Sequence, residues 1–431
     1  MGGHIIFKCA KNYMENTLSL LYNSGIKNKR KCILTMEQKK IDMTTGPIMK
    51  KVFLFAIPMV VGNILQYLYT TVDILVIGNY CGETSLAAVG TSSQPVEVLL
   101  CVFLGIGTGV SILISQYAGA KNETKMRRVV DTATFFVFVC GIPLCVIGYF
   151  IAPLILRWMG APADTWDAGG AALSTSLAMY LSWIISIVYI RKKFPDLELS
   201  YFPKGVDLKE LRQIVMIGLP IGLNNSLYSL GHVAIQSLVN AQGSVFMAGN
   251  SVAGRVTGLS NIAINALSSA ATTFSGQNYG AGNFDRLRQG YIKIPVVSGM
   301  LTLAAGLCVL LFHRPILQIF TRDEAVLVYA GRYVVVLLLS QWFFAIFNGI
   351  ICIVNGVGLI RYTTIVNILM LWAVRIPSAY LITRYFDGTY IMLCFPISFS
   401  FGMIMMLGYY MFSKRWKEII RTGLPSYGQH Y

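Results

Sequence analysis

The sequence predicts an all-α integral membrane protein with two parallel-repeat helical lobes, four transmembrane helices in the first lobe and six in the second. Composition, long apolar stretches and an internal repeat predict this class. Hydrophobic residues occupy 55% of the 431 positions and charged residues only 13%, about half the charged share of a soluble domain. Because so little polar surface is available to cover a core, a water-soluble globule and intrinsic disorder are both excluded.

Ten apolar stretches of roughly 20 residues or more are long enough to cross a bilayer as helices. The longer ones must tilt or extend beyond the hydrocarbon. The connectors between them are too short to form a separate domain. The predicted spans are 52–78, 95–117, 132–156, 171–190, 214–238, 247–274, 291–312, 327–353, 362–383 and 389–412.

The basic residues predict the orientation of these spans. Of the 35 Lys and Arg residues, 28 lie in the terminal segments and in alternate connectors, all on one predicted side. Positive charge marks the cytoplasmic side, so both termini are predicted to lie in the cytoplasm of a multi-pass protein of the cell (inner) membrane. The net charge of +16 is therefore a topology signal, and the expected surroundings are a lipid bilayer rather than a nucleic acid.

Cysteine and histidine patterns indicate neither an enzyme nor a resident metal. The nine cysteines form no CxxC pair, and none of the four histidines belongs to a HExxH motif. Most of the cysteines lie within apolar runs, where cysteine behaves as a small hydrophobic residue. The sequence also lacks GxSxG and Walker A motifs, so we expect no enzymatic activity and no cofactor.

The segment before the first span is basic and polar, and its apolar pieces are too short for a signal peptide. One interpretation is an extended gene start, with Met36 or Met43 as the natural beginning. The other is a basic tail on anionic lipid. The predicted organisation is a cytoplasmic tail at 1–46, a shortened first lobe at 47–200, a second lobe at 201–415 and a C-terminal tail at 416–431.

An internal repeat relates the two lobes. Three anchors recur at an offset of 161 or 162 residues, namely 55–58 with 217–220, 116–122 with 277–283, and Pro153 with Pro315. An even number of spans separates equivalent helices, so the halves run parallel about an axis along the membrane normal. Glycine in the two turns at 116–122 and 277–283 is expected to permit a left-handed helix cap.

The first lobe is shorter than the second. Pro153 precedes Gly169 by 16 residues, whereas Pro315 precedes Gly388, the equivalent start of a last span, by 73. The difference of 57 residues is close to two spans with their loops. Loss of an even number of spans leaves the orientation of all later helices unchanged.

Asp73 lies deep in the first span and is the leading candidate for chemistry. Gln66, Tyr69 and Thr70 share its helical face. Ionisable groups inside a membrane are costly and usually functional, and such an acid can exchange a proton or Na⁺. A structural, paired aspartate is the alternative.

A polar stripe in the fifth span predicts a face toward a substrate cavity. Asn225, Tyr228, His232 and Gln236 follow 3–4 spacing, and Gln341, Asn348 and Asn355 repeat every seven residues in the eighth span. Hydrogen bonding between helices is the other interpretation.

Three further charged residues fall in or near the spans. Glu97 is either a helix-start carboxylate or a cavity residue. Arg255 is expected to face the cavity or to snorkel between the lobes. Arg375 precedes Ile376-Pro377, and we expect it to stabilise a local helix break.

Several of these motifs occur together in one known family. They are the first-span pattern Pro58, Gln66, Asp73 and Gly78, the Gln-x-x-Gly-Ala turns at 116–120 and 277–281, and Arg375-Ile376-Pro377. Over residues 47–415 the chain resembles the bacterial branch of the multidrug and toxic compound extrusion (MATE) family of cation-coupled efflux transporters. Family members usually have six helices in each lobe, and this chain departs from them by lacking the fourth and fifth.

The resemblance implies a secondary antiporter that exports organic cations and drugs in exchange for Na⁺ or H⁺ by alternating access. It implies cation coupling at Asp73, with Na⁺ as the sole metal, and small amphipathic cations as substrates. We expect a monomer. The alternatives are an inactive or impaired deletion variant, and a lipid-linked oligosaccharide flippase of related fold, although only Arg255 and Arg375 would serve a pyrophosphate in the cavity.

Overall fold

A computed structural model describes residues 42–80, 82–136, 139, 188, 207–386 and 388–422, and these are helical with short turns. The compact unit that contains nearly all of them begins at Met43. Its helices are α1 (Ile48–Tyr80), α2 (Gly82–Gly119), α3 (123–136), α4 (Leu208–Asn240), α5 (Ser244–Gly280), α6 (Phe284–Leu311), α7 (His313–Gln318), α8 (Glu324–Gly356), α9 (Ile360–Tyr385), α10 (Cys394–Phe412) and α11 (Lys414–Thr422).

Within the described ranges, seven helices are long and apolar enough to cross a membrane. They are Ile48–Leu68, Cys101–Gly119, Leu208–Asn240, Phe284–Leu311, Glu324–Gly356, Ile360–Tyr385 and Gly388–Phe412. Each of them overlaps a predicted span. The predicted spans at 132–156 and 171–190 fall almost entirely outside the described residues.

Helix α5 contains the predicted span 247–274 but is not one of these seven helices. It is 37 residues long and rich in Gly, Ala, Ser and Asn. It packs against α1, α2, α6 and α8. A helix surrounded by other helices needs small side chains rather than a lipid-facing apolar surface, which explains its lower hydropathy.

Helix α9 has an interruption near the position that the Arg-Ile-Pro sequence predicts. Residues Leu369–Arg375 form a π-helical segment, and Pro377 lies in the first turn of the α-helical segment that follows. π-Helical turns widen the backbone locally and redirect side chains. The break therefore begins before the proline and ends at Arg375 itself.

Glycine pairs bring α2 and α4 into close contact. Gly105 and Gly109 on α2 face Gly218 and Gly222 on α4, so each helix contributes a GxxxG sequence. A Cβ atom on Gly109 would lie 2.8 Å from the backbone nitrogen of Gly218. Such spacing lets two membrane helices approach at their backbones.

An apolar core continues from this crossing toward α3 and the start of α9. It contains Ile112, Val129, Ile214 and Ile360, all nearly inaccessible. In contrast, large apolar side chains point outward at many helix positions, for example Leu65, Ile292 and Ile404, each more than half exposed. An apolar exterior of this extent is what a lipid-embedded protein requires.

Candidate transport site

The two repeated Gln-x-x-Gly-Ala turns contact each other reciprocally. A Cβ on Gly119 would overlap the carbonyl oxygen of Gln277, and a Cβ on Gly280 would overlap that of Gln116. The ends of α2 and α5 therefore cross backbone to backbone at equivalent positions of the repeat. This closure contact, defined by Gln116, Gly119, Gln277 and Gly280, joins the first half of the chain to the second.

The motif glycines act through this packing rather than through a left-handed cap. Gly119 and Gly280 both remain within their helices. The left-handed residues lie two positions later, at Lys121 with φ 53° and Gly282 with φ 71°. Our expectation of a left-handed glycine is thus correct for Gly282 only, because the first turn uses lysine at the equivalent position.

Both motif glutamines hold a partner across the repeat. The Gln116 side-chain amide donates to the Gly356 carbonyl at the end of α8 (2.8 Å). The Gln277 side-chain oxygen accepts from the backbone N–H of Met43 (2.8 Å). Each glutamine therefore links its turn to a segment of the other half.

Met43 is completely buried next to this contact. Its carbonyl accepts from Arg286 Nε at 2.9 Å and from Asn278 Nδ2 at 3.2 Å. A second nitrogen of Arg286 donates to the Thr45 carbonyl (3.0 Å). The segment that leads into α1 is therefore held against the start of α6 by charge-assisted hydrogen bonds.

A buried carboxylate beside the closure contact was not predicted from the sequence. The Tyr117 hydroxyl lies 3.1 Å from Glu210 Oε2 and 3.2 Å from the side-chain oxygen of Gln213. Glu210 is 5% exposed. Its place in the first turn of α4, after the N-cap Asp207, is typical of a helix-start acid, so sequence alone offered no sign of burial.

The structure places the predicted coupling residues on one helix. Gln66, Tyr69, Thr70 and Asp73 all lie in α1. Gln66 is an exposed residue. The side-chain surroundings of Tyr69, Thr70 and Asp73, and those of Glu97 in α2, lie outside what the structure describes.

Arg375, expected to stabilise the break of α9, contacts Tyr228, one of the predicted cavity residues. Arg375 is fully buried; its Nη1 donates to the Tyr228 hydroxyl (3.2 Å), and its Nε donates to Ser398 Oγ (2.9 Å). The guanidinium carbon lies 5.5, 5.0 and 4.9 Å from the ring centroids of Tyr228, Phe395 and Phe399. Aromatic faces stabilise such a desolvated cation.

The predicted stripe on α4 divides between two sets of contacts. The rings of Tyr228 and His232 pack edge to face, with centroids 4.8 Å apart. Gln236 accepts from Asn250 Nδ2 on α5 and donates to Asn240, both at 2.8 Å. Asn225 is partly buried. The interpretation as hydrogen bonding between helices thus has direct support at Gln236.

The polar residues of α8 form separate contacts. Gln341 Nε2 donates to Asn261 Oδ1 on α5 (2.8 Å), and Asn355 Oδ1 accepts from Thr363 (2.6 Å). Asn348 contacts the sulfur of Cys352 one turn later (3.8 Å). Arg255 has an exposed side chain, and its carbonyl accepts from the Tyr67 hydroxyl of α1 (3.4 Å).

Over the residues that the structure describes, no group of three or more His, Cys, Asp or Glu side chains could hold a metal ion. The predicted cavity residues that the structure describes contribute amides, hydroxyls and aromatic rings in separate groups of contacts.

The MatE family profile matches the chain twice, over residues 58–191 and 220–381. Together these segments cover more than half of the chain. The two matches begin 162 positions apart, the same offset as two of the three anchors of the internal repeat.

Curated bacterial relatives extend over most of the chain. The probable multidrug resistance protein YoeA of Bacillus subtilis is 26% identical, with 87% of this chain and 96% of that protein covered. The probable multidrug resistance protein NorM of Thermotoga maritima is 22% identical, with 79% and 87% covered.

Solved structures share the fold at low sequence identity. A MOP superfamily transporter from Pyrococcus furiosus superposes with a TM-score of 0.76 at 19% identity, covering 89% of this chain and 99% of that one. The Vibrio cholerae MATE transporter VcmN gives a TM-score of 0.78 at 16% identity, covering 86% and 98%. The duplicated profile match, the helical membrane fold and these neighbours agree. The chain belongs to the MatE family, the multidrug and toxic compound extrusion transporters, and is a multi-pass membrane transporter rather than an enzyme.

Proposed function

We propose that this transporter is a secondary antiporter that exports small amphipathic organic cations in exchange for Na⁺ or H⁺ by alternating access. The reciprocal closure contact is the observation that carries the proposal. It is small, nearly symmetric and made by backbone atoms of two repeated turns. Two lobes that meet at one end through such a contact can part there without unfolding either helix.

The proposed orientation puts the closure contact on the cytoplasmic side. The turns that form it are followed by basic residues, Lys121 and Lys125 in one and Arg286 and Arg288 in the other. Basic residues of short loops remain on the cytoplasmic side. The transporter then lies in the cell membrane as a monomer, with both termini inside, a first lobe at 47–200 and a second at 201–415.

The proposed substrates follow from the polar and aromatic side chains of the second lobe. Asn225, Tyr228, His232, Gln236, Gln341 and Asn348 offer neutral polar groups, and the curated relatives are named for multidrug resistance. The charge of Arg375 is enclosed by three aromatic rings, so it does not present a cationic surface to the substrate. Arg255 is the exposed basic residue of this set.

Coupling is assigned to Asp73, with Gln66, Tyr69 and Thr70 on the same helix as neighbours that bind the ion. An ionised carboxylate in an apolar helix is costly, and a bound proton or Na⁺ neutralises it. The coupling ion therefore binds while the site is open to one side of the membrane. Release to the other side then requires the lobes to move relative to each other so that the site opens there. No further cofactor is needed for this cycle.

The test is Asp73→Asn in cells that lack their own drug pumps. Because an amide cannot change its charge, we expect gradient-driven efflux of ethidium or norfloxacin to be abolished at unchanged membrane expression. Asp131→Asn is the matched control, since Asp131 pairs with Arg127 of the same helix at 4.0 Å and lies in α3 near its basic end. Undiminished efflux by Asp73→Asn in vesicles with an imposed gradient would contradict the coupling role.

The impaired deletion variant is the second candidate, and one observation favours it. The alignment with the Bacillus subtilis relative runs over 450 positions, of which this chain supplies about 375, that is 87% of 431. If the unaltered chain exports no more dye than an empty vector at equal expression, this candidate replaces the antiporter. The flippase alternative has no observation in its favour.

A further inference from the structure

A pocket of about 580 Å³ opens at the end of the second lobe, between α7, the start of α8 and the 3₁₀ turn Gly388–Leu393. Helix α6 begins beside the closure contact and runs to Leu311, just before α7. The pocket therefore lies at the opposite end of the bundle from the closure contact. Its volume is in the range of small-molecule sites.

Two arginines contribute to the polar lining of this pocket, whose other polar residues are His313, Glu324, Thr389 and Tyr390. Arg332 is exposed and, in the part of the chain that the structure describes, forms no salt bridge or hydrogen bond. His313 Nδ1 lies 2.6 Å from the Leu310 carbonyl. Because a carbonyl oxygen only accepts, that contact assigns a proton to Nδ1.

Arg314 is the second guanidinium of the pocket, and its present partner holds it weakly. Its Nη2 contacts Glu324 Oε1 at 2.9 Å, with the two side chains 67% and 66% exposed. Exposed ion pairs contribute little to stability. The guanidinium can therefore accept a second anion without losing an important structural contact.

Apolar side chains form the rest of the lining of the pocket apart from Thr389 and Tyr390. Val328, Val335, Val336 and Leu393 line it, and Val328 is 48% exposed. The chain on either side of α7 is apolar and outward, with Leu311 79% and Ile319 78% exposed. Charged groups next to such a surface are typical of the boundary between headgroups and hydrocarbon.

We propose that this pocket binds a phospholipid, with the phosphate between Arg314 and Arg332 and an acyl chain along the valines of α8. Guanidinium groups match phosphate oxygens with paired hydrogen bonds, and two of them outweigh the single Glu324 carboxylate. Val335 and Val336 follow Arg332 by about one turn toward the middle of α8, which is the direction an acyl chain would take into the membrane. The site is independent of the transport cavity and of Asp73.

Binding is tested on the purified, full-length transporter by native mass spectrometry and by thermal stability in detergent. Three probes distinguish binding of a whole phospholipid, of its acyl chains and of a free phosphate. They are phosphatidylglycerol, dioleoylglycerol and sodium phosphate. We expect phosphatidylglycerol alone to bind and to stabilise the protein. The variant Arg314→Gln/Arg332→Gln should lose about tenfold or more in apparent lipid affinity, because two charged hydrogen bonds are removed.

Arg322→Gln is the matched control, since Arg322 is an exposed arginine at the same end that does not line the pocket. Val335→Trp keeps every charge and fills the apolar wall next to Arg332, so it should also weaken lipid binding. Equal lipid affinity in the double variant and in Arg322→Gln overturns the proposal. Full competition by sodium phosphate, or equal binding of dioleoylglycerol, also overturns it, in favour of a free-anion site and an unspecific apolar surface respectively.

Discussion

At the scale of single residues, Arg375 shows how a cation is accommodated in a membrane helix. Its guanidinium donates to Tyr228 and Ser398 and lies among three aromatic rings, while its Nη2 atom has no hydrogen-bond partner within the described residues. A buried charge has a large desolvation cost, so the geometry of its donors decides whether it is tolerated. Arginine is suited to this position because its planar fork reaches two acceptors at once.

We therefore expect Arg375→Lys to be less stable than Arg375→Met. Lysine keeps the desolvated charge, but one ammonium group cannot reach both Tyr228 and Ser398, and a lost charged hydrogen bond costs about 2 kcal/mol. Methionine removes the charge and retains much of the volume. The thermal unfolding midpoint in detergent measures this order.

Arg361→Lys is the control, because Arg361 is exposed in the first turn of the same helix; its midpoint should not change. A lysine variant as stable as the natural protein, together with a much weaker methionine variant, would show that charge rather than donor geometry matters at position 375.

At the scale of helices, the close approach of α2 and α4 depends on which face of its helix each glycine occupies. Gly105 and Gly109 face α4, whereas Gly107, between them, has no atom within 4 Å of a Cβ built on it. Alternate glycines of one short sequence thus have different structural roles. Only those on the contact face restrict what the helix can tolerate.

Gly109→Ala should destabilise the protein by about 1–3 kcal/mol, the usual cost of overpacking. Its methyl group would lie 2.8 Å from the Gly218 backbone nitrogen and would force the helices apart. Gly107→Ala serves as the control in the same helix and should be neutral or slightly stabilising, because alanine favours a helix over glycine. Thermal unfolding in detergent compares the two, and equal losses in both would contradict the packing role.

At the scale of the whole molecule, the repeat is expressed as contacts that cross between its two halves. Gly119 packs against the backbone of Gln277, and Gly280 packs against the backbone of Gln116. Met43 adds a further contact on Gln277 alone. The two helices of the closure contact are thus related by the repeat. The Met43 segment covers only one of its two turns.

Gly280→Leu should prevent closure, because the new side chain occupies the space of the Gln116 carbonyl. We expect the population to shift toward a state open at this end and efflux to be lost. Ser115, 4% exposed next to Gly276, reports the state when changed to Cys in a chain free of its nine natural cysteines. N-Ethylmaleimide should label that cysteine several-fold faster in Gly280→Leu.

The control for this experiment is Gly254→Leu in the same helix, since a Cβ on Gly254 has no atom within 4 Å. Its labelling should remain as slow as in the parent chain. Equal labelling rates in the two leucine variants would contradict the role of the Gln-x-x-Gly-Ala turns in closure.

The sequence by itself determined the membrane class, the helical fold, the repeat and the family. These depend on local or periodic properties: the length and hydropathy of each span, and motifs that recur at a constant offset. Within the described residues, each predicted span overlaps a helix. An interruption of α9 near Pro377 was also predictable, because proline cannot continue an ordinary hydrogen-bonding pattern, whereas its start at Leu369 was not.

Only the tertiary structure decided which residues meet. Contacts such as Arg375 with Tyr228, Tyr117 with Glu210, and Gln277 with Met43 join positions 93 to 234 residues apart. Helical periodicity defines which side chains share a face of one helix, but it contains no information on the neighbour that covers that face. The role of Gly119 and Gly280 is the clearest case: the motif was visible in the sequence, and its function in packing depends on a helix that crosses from the other half of the chain.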